Sequence, residues 1–304
     1  MAINKYNINK WWKMLTGKSV LHVNQDLGKC FSIQEIKGYY NNLTEKVIME
    51  PQLVENDSLP QTLQPGGITI VFPVAVFQYA LGCYDLYLQK KKDCYLKKFL
   101  QLANWTFNQQ DEKGRWANFA HAYPEHPFGA MAQGEATSVL VRAFKETNIS
   151  TYLEAAKLSI DFMLAPHKDG GTALYQGNEL LFMEYTHLPI VLNGWIFAWW
   201  GLYDYVNITH DKGYYYEAMN LSCQTLVKYL PKFATNYWSK YDLDYRLASP
   251  FYHHLHIAQM KAMFQLTGIK DFDNYAQCWE KQENKSWNKC RAFMTKAWQK
   301  IAEK

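Results

Sequence analysis

Apolar positions recur near every 3.6 residues through most of the chain, as in Val139, Leu140, Ala143 and Phe144, and again in Tyr152, Ala155, Ala156 and Leu158. That spacing lays one apolar stripe along a helix. The stripes come in pairs. Tyr87 is followed eight residues later by Tyr95, Phe144 by Tyr152, and Phe264 by Phe272. Each first aromatic closes one helical pattern, a polar turn intervenes, and a second pattern begins. Tyr205 holds the equivalent place in a further unit, with a longer turn at 207–213 before Tyr214, so the units lie 57 to 61 residues apart. The pattern predicts four helical hairpins, over 69–109, 129–165, 188–230 and 252–300. Hairpins repeated in this way stack into a solenoid or close into an α/α toroid, because no single pair can bury its stripe alone.

Two stretches break the period. Residues 110–128 and 166–187 carry Gly, Pro and short alternating runs, and are expected as long loops or β-hairpins that wall a groove. The first 65 residues also depart from the repeat. They are expected to form an irregular N-terminal extension (1–65) that packs on the core or dimerises, ahead of a toroid domain over 66–304. Within it, 52–67 contains two prolines and two glycines and reads as an extended approach to the first hairpin. The repeat also aligns polar groups. The first turn of each opening helix carries an amide or imidazole: Gln78, Gln133, Asn193, and the pair His253 and His256. One such residue is ordinarily a satisfied core group; four at corresponding places point to a shared rim.

Composition narrows the class. With 304 residues and 48% hydrophobic content the chain can bury a large core. A net charge of +4 without a Lys/Arg stripe argues against nucleic-acid binding, yet does not repel an anionic ligand. Aromatics reach 16%, with 22 Tyr and 11 Trp. They suit either an aromatic helical core or a groove in which rings stack on sugars. Six cysteines without a C-x-x-C spacing are expected to be free thiols. The most apolar stretch, 68–81, is too short for a membrane span and contains Pro73 and Gln78. No signal-peptide pattern is seen, and a cytoplasmic protein is expected.

Four segments carry a family resemblance. Ala130-Met131-Ala132-Gln133-Gly134 followed by Leu140-Val141-Arg142-Ala143-Phe144 resembles a segment of the D-glucuronyl C5-epimerases. Glu184-Tyr185, then Val191-Leu192-Asn193-Gly194 and Gly201-Leu202-Tyr203-Asp204, is similar to a second. Tyr241-Asp242-Leu243 with Tyr252-His253-His254-Leu255-His256-Ile257-Ala258-Gln259 is similar to a third, and Phe77-Gln78-Tyr79-Ala80-Leu81-Gly82 to a helix of the same family. The match runs over roughly 60–270 in the family's order. It implies a mainly α fold, an incomplete α/α toroid, acting without a cofactor or metal on an anionic poly- or oligosaccharide that contains glucuronate. A homodimer is one possible assembly. The family's arginine after the Tyr-Asp-Leu triplet is replaced by Asp244, with Arg246 two positions on.

Inverting C5 of a uronate breaks a C–H bond beside a carboxylate. A site must neutralise that carboxylate and set a proton acceptor and a donor on opposite ring faces. Tyrosine, with an ordinary pKa of about 10, suits both faces. The expected catalytic residues are Glu184, Tyr185 and Tyr252. Gln78, Tyr79, Gln133, Asn193, Tyr241, Arg246, His253 and His256 are expected to hold the substrate. Neighbours in a strand point oppositely, so Glu184 and Tyr185 need a bend to face one sugar. The His253/His256 spacing would suit a metal, but neither HExxH nor a carboxylate triad accompanies it. Rival readings are a polysaccharide lyase, a glycoside hydrolase pairing Glu184 with Glu135, Asp204 or Asp242, and a non-catalytic carbohydrate-binding scaffold.

Overall fold

The structure is a computed structural model that describes residues 22–63 and 67–302, with side chains to residue 299. The expectations placed on 1–21 and 64–66 lie outside the described residues. Helices α1 (Thr44–Met49) and α2 (Gln52–Glu55) and the short hairpin β1 (Thr62–Leu63) and β2 (Thr69–Ile70) precede the repeat. The first three helix pairs are α3 (Pro73–Lys90) with α4 (Asp93–Asn108), α5 (Ala130–Thr147) with α6 (Ser150–Leu164), and α7 (Leu192–Thr209) with α8 (Tyr214–Tyr229). The strands β3 (Ala173–Tyr175) and β4 (Leu180–Phe182) form an antiparallel hairpin inside 166–187. The last unit departs from the expected pair. It has α9 (Pro250–Thr267) and α10 (Lys270–Glu283), and then a break at Asn284 and Lys285 releases a third helix, α11 (Ser286–Ala302).

The architecture is mainly α, an incomplete α/α toroid. The opening helices α3, α5, α7 and α9 are its inner layer. From Leu192 to Leu202 every residue of α7 is buried. Each opening helix ends in the same way. Lys91, Asn148, His210 and Gly268 take left-handed backbone angles, and their N–H groups bond the carbonyls of Tyr87, Phe144, Val206 and Phe264. Three of those acceptors are the aromatics that marked the repeat, so the faint periodicity is the trace of a recurring helix stop. The third is displaced by one residue, from Tyr205 to Val206.

Two inner helices touch through backbone. A Cβ on Gly134 of α5 would meet Ala198 Cα at 2.5 Å, and one on Gly201 of α7 would meet Gly134 C at 2.7 Å. Beside this crossing Arg142 is buried against Asp204 at 2.6 Å, and Asp204 also accepts from the Tyr40 hydroxyl at 2.5 Å. Tyr39, Tyr40, Leu43 and Val47 belong to the same hydrophobic core as the inner helices. All six cysteines are free thiols. Among the described residues no helix is long and apolar enough to cross a membrane.

Candidate active site

A cavity of about 330 Å³ opens at the N-terminal ends of the inner helices. Helix starts are well placed for polar ligands because their first N–H groups lack helical partners. Gln78 enters from α3, Asn193 from α7, and Tyr252 and Leu255 from α9; Glu184 and Tyr185 come from the bend after β4. Phe119, His121 and Tyr123 of the 110–128 loop form one wall, and His22, Gln25, Thr62 and Leu63 reach the cavity from the N-terminal segment.

Local chemistry fixes these positions. Pro73 and Pro250 occupy first helical turns, where a missing N–H costs nothing. Ser249 caps α9 and accepts from the Tyr252 N–H, which sets the entry of Tyr252. Asn118 accepts the Val74 N–H through Oδ1 at 3.1 Å. A backbone N–H can only donate, so the Asn118 amide NH₂ is left to face elsewhere. Gly194 makes room for Glu184: a Cβ there would stand 2.6 Å from Glu184 Cβ and 2.9 Å from its Cδ. The bend at Glu184–Tyr185 resolves the alternation of a strand and lets both side chains reach one cavity.

The tyrosines form a cluster. Tyr185 stacks on Phe119 with ring centres 4.4 Å apart, and Tyr241 meets Tyr252 edge-on at 4.8 Å. Tyr185 and Tyr252 belong to the cavity lining, whereas Tyr241, expected to hold the substrate, stands outside it. Tyr241 is held from behind, since its N–H bonds the Arg246 carbonyl at 2.7 Å and its carbonyl accepts the Leu192 N–H at 3.1 Å. Burial pushes the Glu184 carboxyl up to about 7, against the opposing effects of Tyr185 and Arg246. Burial, and then the Glu184 charge, drives Tyr185, Tyr241 and Tyr252 far above the ordinary phenol value. Near neutral pH the cavity lining therefore carries one titrating carboxyl and two protonated hydroxyls, with the protonated Tyr241 outside it. Glu184 Oε2 and Asn193 Oδ1 are buried without a hydrogen-bond partner, which is what a site awaiting a polar ligand presents.

Other expected residues sit elsewhere. His253 stacks on Trp238 at 3.7 Å, accepts the Ser239 N–H at Nδ1, and lies 3.2 Å from the Trp279 carbonyl at Nε2. A carbonyl can only accept, so Nε2 carries the proton and the ring is neutral. Burial pushes its pKa down to about 4. His256 shares the Ser239 hydroxyl at 2.9 Å and is likewise driven well below its ordinary value by burial. Neither lines the cavity, and neither is the cation that a uronate carboxylate would want. Gln133 turns to Ser159, and the Tyr79 hydroxyl donates to the Glu50 carbonyl at 2.8 Å. Both are outside the lining. Arg246 is ion-paired with Asp242, and its guanidinium lies 5.8 Å from the Tyr241 ring centre. It acts on Glu184 through its field rather than from the lining. Sequence reasoning missed Asn118, His22, Gln25 and His121. The pattern of 110–128 predicts a wall, but nothing in its spacing singles out Asn118.

The toroid thus holds a cavity whose lining brings together one carboxyl raised towards neutrality and two tyrosines. The chain belongs to the D-glucuronyl C5-epimerase C-terminus family, whose model matches residues 101–281. It is 30% identical over 127 residues to the D-glucuronyl C5-epimerase of Caenorhabditis elegans, covering 38% of this chain and 21% of that protein. The chain thus spans about a fifth of that relative's length. An uncharacterized protein of Methanocaldococcus jannaschii is 27% identical over 265 residues, 76% of this chain and 85% of that one. Among solved structures, a UGL variant described with dGlcA-Glc-Rha-Glc shares the fold, with a TM-score of 0.51 and 9% identity over 94% of this chain and 82% of that chain.

Proposed function

We infer that the protein inverts C5 of glucuronate residues in an anionic poly- or oligosaccharide, taking the C5 proton from one ring face and returning one to the other. The observation that carries this reading is Glu184, poised near neutrality in the lining of the cavity, with Tyr185 and Tyr252 in the same lining and both keeping their protons. A base must be ionised near working pH and a donor must keep its proton, and these environments push the two kinds of group apart. Tyr185 and Tyr252 approach from different elements, the bend after β4 and the start of α9, and so suit opposite ring faces. Tyr241, packed edge-on against Tyr252, can hold its orientation.

The substrate carboxylate must lose part of its charge before C5 can ionise. The Asn118 amide, left pointing away from Val74, together with His121 and His22, supplies donors at the cavity, and preorganised donors act strongly where water is excluded. A hydrolase would need a second free carboxylate across the ring. Asp204 is committed to Arg142 and Tyr40 and Asp242 to Arg246, and Glu135, which gives one oxygen to Gln78 at 2.8 Å, stands outside the cavity lining, which disfavours that reading. A lyase shares the first proton abstraction and differs in product.

The roles are tested with a glucuronate polymer in D₂O, following C5 deuterium by NMR in Tyr185→Phe and Tyr252→Phe. Each variant should lose exchange from one epimer while retaining it from the other. Wild-type exchange from both epimers in both variants would sink the two-face assignment.

A further inference from the structure

Helix α11 has one face pinned to the protein. Ala292 and Gln299 are buried; Gln299 accepts the Leu247 N–H at 3.0 Å and donates to the Tyr245 carbonyl at 2.7 Å, and Lys296 donates to the Leu247 carbonyl at 2.7 Å. The other face is open and apolar. Trp287 and Trp298, at 72% and 69% exposure, are the two most exposed large apolar side chains among the described residues. Met294 and Phe293 are exposed beside them. At about 100° per residue, Trp287, Met294 and Trp298 fall on one sector that Cys290 and Ala297 extend towards Phe293, turned away from Ala292 and Gln299.

The charge pattern names the partner. Between Ser286 and Ala302 the helix carries no Asp or Glu. Lys289 and Arg291 stand at the two borders of the apolar sector, with the Arg291 guanidinium also lying 3.8 Å from the Tyr237 ring centre. The nearest carboxylates of α10 are committed elsewhere, Glu280 to Lys261 at 2.8 Å and Glu283 to His254 at 3.2 Å. A second copy of the chain would bring two cationic faces together. An anionic lipid surface instead matches both halves of the pattern, since indole rings favour the headgroup boundary and flanking bases meet phosphates. We propose that α11 is a docking helix for anionic membrane surfaces, lying flat with Trp287, Met294 and Trp298 in the boundary layer and Lys289 and Arg291 at phosphate level.

The full chain is mixed with vesicles of phosphatidylcholine alone or with phosphatidylglycerol, and partition is read by sedimentation and tryptophan emission. Co-sedimentation should require phosphatidylglycerol, shift the emission to the blue, and weaken as salt screens the charges. The variant Trp287→Ser/Met294→Ser/Trp298→Ser should lose partition by on the order of a hundredfold, with its melting temperature unchanged. Should that variant fail to fold, Lys289→Glu/Arg291→Glu tests the same idea through loss of the preference for phosphatidylglycerol. The proposal is overturned by equal binding to both vesicle types or by none. It is equally overturned by undiminished binding of the substituted chains, or by a dimer in light scattering that the serine variant abolishes without any vesicle binding.

Discussion

Gly194→Ala places one methyl group behind Glu184. The new Cβ would stand 2.6 Å from Glu184 Cβ, and ordinary contact begins at 3.4 Å. It would meet the carboxylate Oε2 more closely still and Cδ at 2.9 Å, so root and carboxyl alike must retreat by about 0.5–1 Å. Displacements of about 1 Å in a reacting group cost on the order of a hundredfold in rate. Stability responds less. Overpacking costs about 1–3 kcal/mol, while alanine in a helix recovers about 0.5–1 kcal/mol relative to glycine. The net loss is about 0–2.5 kcal/mol, a melting shift of several degrees at most for a chain of this size. C5 exchange measured well below the melting point should therefore fall by about two orders of magnitude in a folded protein. A folded Gly194→Ala protein exchanging at the wild-type rate would refute the claim that the position of Glu184 governs the chemistry.

Two further predictions concern pH. If Glu184 is the base, it must be ionised, and with its pKa pushed up to about 7 the exchange rate should rise as pH climbs through that value. Glu184→Gln should remove this limb and lower the rate by roughly 10²–10⁴-fold; an unchanged pH–rate profile in the variant would assign the base elsewhere. His254 bridges Glu283 and Asp26, tying α10 to the N-terminal segment, and its pKa is raised to about 9 chiefly by the hydrogen bond to Glu283. A raised histidine stabilises fully below its unfolded value of about 6.5 and loses that contribution as pH rises through the folded value. His254→Gln should thus lower the melting temperature near neutral pH and converge with the wild type at about pH 10. A deficit that stays constant across this range would assign the effect to packing instead of charge.

The fold was legible because its repeat has a physical cause. Tyr87, Phe144 and Phe264 sit where a left-handed stop must be fed by a carbonyl, and that requirement recurs in each unit. The third helix of the last unit was not legible. Its break at Asn284 and Lys285 has no proline or glycine to announce it, and the helix depends on distant anchors such as Gln299 with Leu247. At the site, repeat position brought Gln78 and Asn193 to the cavity but misled at His253 and His256. Those residues follow Tyr252 on α9, and the rotations of about 100° and about 40° that separate their faces from that of Tyr252 send them to Trp238 and Trp279 instead. Asn118 was invisible for a different reason. Its cap reaches Val74 across 44 residues of chain, a contact that no local period encodes.

The central claim is that the cavity breaks and remakes the C5–H bond of glucuronate. The most direct measurement is incubation of the wild-type protein with desulfated heparosan or a bacterial glucuronate polymer in D₂O, read by NMR at C5 and by ultraviolet absorbance. The account predicts deuterium at C5 and the appearance of the opposite epimer, without the absorbance of an unsaturated sugar. Deuterium absent from C5 of every glucuronate polymer offered, or unsaturated product in place of the epimer, would contradict it.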